Sequence, residues 1–191
     1  MKKLTILLAS FLFITIGANA QFEIKALAGL NFATLSGHNM DEVKGNAGYQ
    51  FGGGVLIGDK FYVEPGIQFG KKSTTITSES TDIDFDQSFV RIPVYAGYHL
   101  LGHESGPLAL RLFAGPAVTI PGAIKKGEDQ ISKDDINNAL WGVDGGLGVD
   151  IFFLFVEFNY EYSFSDHFVD GSNAEGKHNA FYINAGIHID F

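Results

Sequence analysis

The residues able to do chemistry in this 191-residue chain are scattered. Six histidines stand at 38, 99, 103, 167, 178 and 188, and there is no cysteine. No HExxH pair and no zinc-ligand spacing links them. No metal site and no cofactor is therefore expected. Ser163 or Ser165 with His167 or His178 has the residue types of a nucleophile and its base, as a lipid acyl-ester hydrolase would need. No serine lies in GxSxG, and serine near histidine is common in polar segments. The expectation is no catalytic residue.

Two stretches have the look of calcium ligands. "GGLGVDIFF" (145–153) matches one nonapeptide of a calcium β-roll, but that architecture needs tandem copies to share each ion. "DIDFD" puts Asp82, Asp84 and Asp86 on one side of an extended chain. An EF-hand loop would next need glycine at its sixth position and glutamate at its twelfth, where Gln87 and Pro93 stand. The triple glycine 52–54 lacks phosphate-loop spacing. It reads as a strand kink or as small inward residues.

The ends say more. Lys2 and Lys3, the apolar run Leu4–Ile16 and Ala18-Asn19-Ala20 form the three regions of a secretory signal, cleaved between Ala20 and Gln21. The expected organisation is signal peptide 1–20 and one domain 21–191. The formal net charge is −9, and loss of residues 1–20 removes two lysines and no acid, leaving −11. Such an acidic chain is a poor match for nucleic acid. Glycine (24) and phenylalanine (18) are both abundant, a composition suited to β-barrels.

Apolar alternation predicts eight strands: 22–34, 48–58, 60–72, 89–100, 108–120, 140–151, 153–164 and 181–191. The last, "FYINAGIHIDF", carries Phe181, Ile183, Ile187, Ile189 and Phe191 on one face. Connections alternate between tight turns, at Asp59 and near 151–152, and long polar segments at 36–46, 73–88, 121–138 and 165–178. The connection 101–107 is intermediate. That asymmetry is the pattern of an all-β, eight-stranded antiparallel up-and-down transmembrane β-barrel. It predicts periplasmic turns and extracellular loops.

The apolar face carries aromatics near the strand ends, as two membrane girdles would. Phe22, Phe61, Tyr98, Phe153 and Phe191 would form one; Phe32, Phe69, Trp141, Tyr162 and Phe181 the other. The opposite face mixes glycine with charge, which suits a narrow lumen. Glu64, Arg91, Arg111, Asp144, Asp150, Glu157 and Glu161 are the expected lumen network. Counting from the 151–152 turn puts Glu161 opposite Gly142 or Asp144. Counting across 121–138 puts Arg111 near Gly148, one diagonal step from Asp150, so Arg111 is expected to be a structural hub. His99 and His188 should lie near the turn-side rim and hydrogen-bond in the lumen. Pro65, Pro93 and Pro116 fall inside predicted strands, where each should need a bulge or a rim position.

The ordered segments "AGLNFATLSG" (28–37), "VEPGIQF" (63–69), "VRIPVYAGYHL" (90–100), "FAGPAV" (113–118) and "VDGGLGVDI" (143–151) resemble PorT-like outer-membrane β-barrel proteins of Bacteroidota. The resemblance spans the chain after the signal and implies an eight-stranded outer-membrane barrel. The final strand and its closing phenylalanine resemble the signal read by the barrel assembly machinery. The resulting expectation is a non-enzymatic outer-membrane barrel without a general pore, with a structural, adhesion or secretion-associated role. Its expected partners are outer-membrane lipids and lipopolysaccharide, the assembly machinery, and a protein bound through the extracellular loops. A lipid A-modifying enzyme and a soluble periplasmic ligand-binding barrel are the alternatives.

Overall fold

The computed structural model describes residues 22–37, 43–78, 81–102, 107–125, 139–166 and 176–191. They form β1 (Phe22–Gly37), β2 (Val43–Gly58), β3 (Phe61–Ser78), β4 (Thr81–Leu101), β5 (Leu108–Lys125), β6 (Leu140–Ile151), β7 (Leu154–Asp166) and β8 (Gly176–Asp190). Each strand pairs antiparallel with the next, and β8 returns to β1 to close the barrel. The closing ladder runs from Glu23↔Asp190 to Gly37↔Gly176 without a register shift. Closure matters in hydrocarbon, where an open edge would leave a row of backbone groups unpaired.

The strand period of two sorts the side chains by solvent. The sorting is inverted relative to a water-soluble protein. Arg91 and Asp144 are 0 % exposed, whereas Phe61 is 74 % and Trp141 57 % exposed. Along β6, Leu140, Gly142 and Asp144 are buried while Trp141, Val143 and Leu147 face outward.

Glycine makes room for inward aromatic rings. Tyr62, Phe113, Phe155 and Phe89 each point inward from a register position beside a glycine: Gly97, Gly146, Gly186 and Gly70. A Cβ at Gly186 would lie 2.6 Å from Phe155 Cζ, at Gly70 2.7 Å from Phe89 Cζ, and at Gly146 2.9 Å from Phe113 Cζ. At Gly97 it would fall within the Tyr62 ring itself. A ring lying over a cross-strand glycine restores packing that glycine alone cannot supply. The lumen face is thus built of charge, glycine and aromatics, not of charge and glycine alone.

The prolines correct one expectation. None needs a bulge or a rim position. The β2–β3 pairs stop at Gly54↔Gly66 and resume at Ile57↔Val63 in the same register, passing over Pro65. The β3–β4 pairs pass over Pro93 between Pro65↔Val94 and Gln68↔Arg91, and the β4–β5 pairs pass over Pro116 between Pro93↔Ala117 and Ala96↔Ala114. On its other side each proline pairs normally, with Val94, Ala117 and Val143. One missing N–H interrupts one ladder locally; the strands continue because both flanks of the gap are held.

Several strands run further than their apolar alternation. β3 and β4 form a hairpin to Ser78↔Thr81, so most of 73–88, including Asp82, Asp84 and Asp86, is ladder and not loop. β5 continues to Lys125, β1 to Gly37 and β8 begins at Gly176. An antiparallel ladder can leave the bilayer with polar residues on both faces, so apolar period ends before pairing does. At the other end the turns are tight. Gly58 has φ +137° ahead of Asp59-Lys60, and Phe152 has φ 55° in the two-residue turn closed by Ile151↔Leu154. Aromatic rings ring both ends of the outer wall. Phe61–Tyr98 (4.6 Å) and Phe22–Phe191 (6.2 Å) lie at the turn end, Phe51–Phe69 (6.0 Å) and Tyr162–Phe164 (5.6 Å) towards the loop end.

Candidate functional site

The lumen holds the densest polar chemistry of the described residues. It is layered. Near the turn end, Lys25 from β1 donates to Glu64 of β3 (2.8 Å) and to Glu157 of β7. Arg111 from β5 grips Asp150 of β6 with two parallel bonds, Nε to Oδ2 at 2.6 Å and Nη2 to Oδ1 at 2.7 Å. Its Nη2 also reaches Glu157 (3.1 Å), and its Nη1 stands 3.6 Å from Glu64. Gly148, the register partner of Arg111, leaves the guanidinium its space: a Cβ there would sit 3.1 Å from Nη2.

An aromatic layer follows, with Leu56, Tyr62, Tyr95 and Phe113 packed as one buried cluster. The Tyr95 and Phe113 rings are 4.9 Å apart. Above it lies a second charged group. Arg91 of β4 donates Nε to Glu161 of β7 (2.6 Å), Nη1 to Gln68 of β3 (2.9 Å) and Nη2 to Asp144 of β6. The Tyr95 hydroxyl donates to Asp144 at 2.6 Å. The Arg91 guanidinium also stacks over the Tyr182 ring, 4.6 Å from its centre.

Of the residues singled out in the sequence, Glu64, Asp150, Glu157 and Arg111 meet in the first group. Asp144, Glu161 and Arg91 meet in the second. Arg111–Asp150 and Arg91–Gln68 join neighbouring strands. Lys25–Glu64, Lys25–Glu157, Arg111–Glu157, Arg91–Glu161 and Arg91–Asp144 join strands that are not neighbours in the sheet and so cross the lumen. A buried charge is tolerated only when paired and hydrogen-bonded, and each guanidinium here has at least two acceptors. Lys25, Tyr62, Gln68, Tyr95 and Tyr182 complete the groups without having been singled out as network members. The available signal was phase: Tyr95 falls between outward Val94 and Ala96, hence inward.

Other candidates resolve differently. Asp150, within "GGLGVDIFF", is held by Arg111, and the motif is β6 with its turn. Ser163 is buried and donates to the Trp141 carbonyl at 3.4 Å. The side chains of Ser165, His167 and His178 lie outside the described residues, as do Ala20 and Gln21. His99 Nδ1 is 2.8 Å from the Asp59 carbonyl in the tight turn. His188 lies at the same end, near Glu23 and Asp190. In β8, Phe181, Ile187 and Ile189 face outward with Phe191 beyond them, and Ile183 is half-buried.

Comparison with known proteins finds the same barrel fold. The model of the outer membrane protein beta-barrel domain matches residues 18–169. The chain belongs to this family. It is a small outer-membrane barrel of eight strands. Among solved structures it is similar to Neisserial surface protein A, at 14 % identity and TM-score 0.58, covering 87 % of this chain and 96 % of that one. It is similar to outer membrane protein OprG of Pseudomonas aeruginosa, at 12 % identity and TM-score 0.58, covering 90 % and 96 %. It is also similar to Ail, the attachment invasion locus protein of Yersinia pestis, at 13 % identity and TM-score 0.52, covering 87 % and 98 %. At these identities the likeness is one of fold. Among curated proteins no sequence matches.

Proposed function

We propose that this family barrel is a non-enzymatic scaffold that displays its long loops at the cell surface for a structural, adhesion or secretion-associated interaction, and that it opens no general pore. In this reading the chain is exported by its N-terminal signal, assembled through its last strand, and oriented with the tight turns in the periplasm. The likeness to PorT-like proteins belongs to the same reading. The observation that carries it is the lumen: Arg91 bridges carboxylates on β6 and β7, and Arg111 bridges one on neighbouring β6 and one on β7, leaving fixed ion pairs where a channel would need water. An eight-stranded barrel has an interior only wide enough for side chains.

Function then lies with the outer wall and the loops. The wall takes outer-membrane lipids, lipopolysaccharide among them. The loop-side segments are acidic, with Asp41, Glu42, Glu79, Glu128, Asp129, Asp134, Asp135, Asp170 and Glu175 against a smaller number of lysines. Ail has been solved with the heparin analogue sucrose octasulfate. An acidic crown here favours a cationic protein surface over a polyanion.

The test is electrical and topological. Purified protein in planar bilayers should give no steady large conductance, and protease added to whole cells should cut the long connections first. Sustained porin-like conductance would overturn the closed-lumen reading. Cuts confined to Asp59-Lys60 and Phe152-Phe153 would invert the orientation.

A further inference from the structure

At the turn-end mouth, beside the seam that closes the barrel, three side chains converge from the two ends of the chain. Glu23 of β1 and Asp190 of β8 are register partners, and His188 precedes Asp190 by two residues on the same face of β8. His188 Nδ1 stands 3.2 Å from Glu23 Oε1 and 3.5 Å from Asp190 Oδ1, and one ligand atom from each of the three lies within 4.8 Å of the others. We propose that Glu23, His188 and Asp190 form a binding site for a zinc-class divalent ion that clips the first strand to the last.

Three observations carry this. The first is spacing. Two ligands about 2.0–2.1 Å from a tetrahedral ion are separated by roughly 3.3–3.4 Å, and the separations of 3.2 and 3.5 Å lie on either side of that range. The second is the state of the imidazole. His188 presents only 11 % of its side chain to solvent, yet neither Nδ1 nor Nε2 is in hydrogen-bonding alignment with any described group. Nδ1 faces two carboxylate oxygens, 3.2 and 3.5 Å away. The third is charge. Lys25 and Arg111, the nearest cations, are already engaged by Glu64, Asp150 and Glu157. Glu23 and Asp190 set two carboxylates against one imidazole, so negative charge is left for a cation to neutralise whichever form the imidazole takes.

The ligand set selects the ion. One imidazole with two carboxylates suits Zn²⁺ and its transition-metal neighbours better than Ca²⁺ or Mg²⁺, which prefer oxygen alone. Three protein ligands leave a fourth position for water, and Asp190, 58 % exposed, opens it to the mouth. The packing holds the ring in place: the His188 amide donates to the Phe153 carbonyl at 2.9 Å, and the Phe155 ring lies 6.3 Å away. Because the ligands come together only when β1 meets β8, the ion would bind the closed barrel and not the unfolded chain.

The experiment uses full-length protein without its signal, refolded in lipid vesicles and stripped with EDTA. Urea unfolding is followed with and without ZnCl₂, and with MgCl₂ as a control, alongside calorimetric titration with ZnCl₂. Four proteins are compared: wild type, His188→Ala, Glu23→Gln, and a loop variant with His38, His103, His167 and His178 changed to asparagine. Wild type and the loop variant should bind one Zn²⁺. At a hundredfold excess over Kd, their folded-to-unfolded ratio should rise about a hundredfold. His188→Ala and Glu23→Gln should lose that gain. Glu23→Gln keeps the side-chain shape, so it serves if His188→Ala fails to fold. No zinc-dependent gain in wild type, or an equal gain in Glu23→Gln, would overturn the site, as would a gain that disappears only in the loop variant.

Discussion

Asp144 and Glu161 stand directly opposite each other on β6 and β7, and one guanidinium, that of Arg91 on β4, bonds both. Two carboxylates on adjacent strands would repel in a narrow lumen. Arg91 turns the repulsion into a three-charge group, and Tyr95 takes part of the remaining acceptor capacity of Asp144. The lumen is therefore a structural core in which ionic groups flank an aromatic layer, while the outer wall presents its apolar side chains to lipid.

That arrangement sets a stability prediction. Arg91→Ala leaves Asp144 and Glu161 facing each other without their shared cation, and should cost about 3 kcal/mol in urea unfolding from vesicles. Adding Asp144→Asn and Glu161→Gln should return a large part of the loss. Arg111→Ala should lower the midpoint in the same way, since Asp150 loses its guanidinium donor and Glu157 keeps only Lys25, while insertion into the membrane is retained. Unchanged midpoints in both arginine variants would mean that water already satisfies these carboxylates.

The glycines offer a paired contrast. Gly97→Ala drives a methyl group into the Tyr62 ring, and overpacking of this kind costs about 1–3 kcal/mol. Gly145→Ala meets nothing nearer than the Phe113 carbonyl at 3.5 Å, and should be neutral or stabilise by roughly 0.5 kcal/mol through the unfolded chain. Unfolding midpoints of the two variants, measured side by side, check the claim. Equal effects would show that Tyr62 does not occupy the space above Gly97.

Trp141, the single tryptophan, reports on the wall. It is 57 % exposed near the loop end of β6, where aromatic side chains favour the headgroup boundary. Its emission should shift to shorter wavelength on folding into vesicles. Lipids brominated near the headgroup should quench it more strongly than lipids brominated near the chain end. Quenching by an aqueous agent alone would place this face in water.

The amino-acid sequence by itself determined the strand number, the order, the outward face and much of the local register. The physical reason is that these are short-range properties. Period-two alternation assigns each residue a face, and a tight turn limits its hairpin register, so that counting from 151–152 narrows the partner of Glu161 to Gly142 or Asp144, of which the ladder selects Asp144. It did not show where pairing ends, because ladders such as Ser78↔Thr81 continue after the apolar alternation has stopped. Nor did it show that Pro65, Pro93 and Pro116 lie within intact register, since only neighbouring strands reveal that both flanks are held. The tertiary structure alone decided which charges meet across strands that are not neighbours. Lys25 finds Glu64 and Glu157, and Glu23 finds His188, only because the sheet closes on itself with one particular stagger. Closure is a global constraint: strand tilt and shear bring distant residues to one level of the lumen, and no local period in the sequence encodes that level.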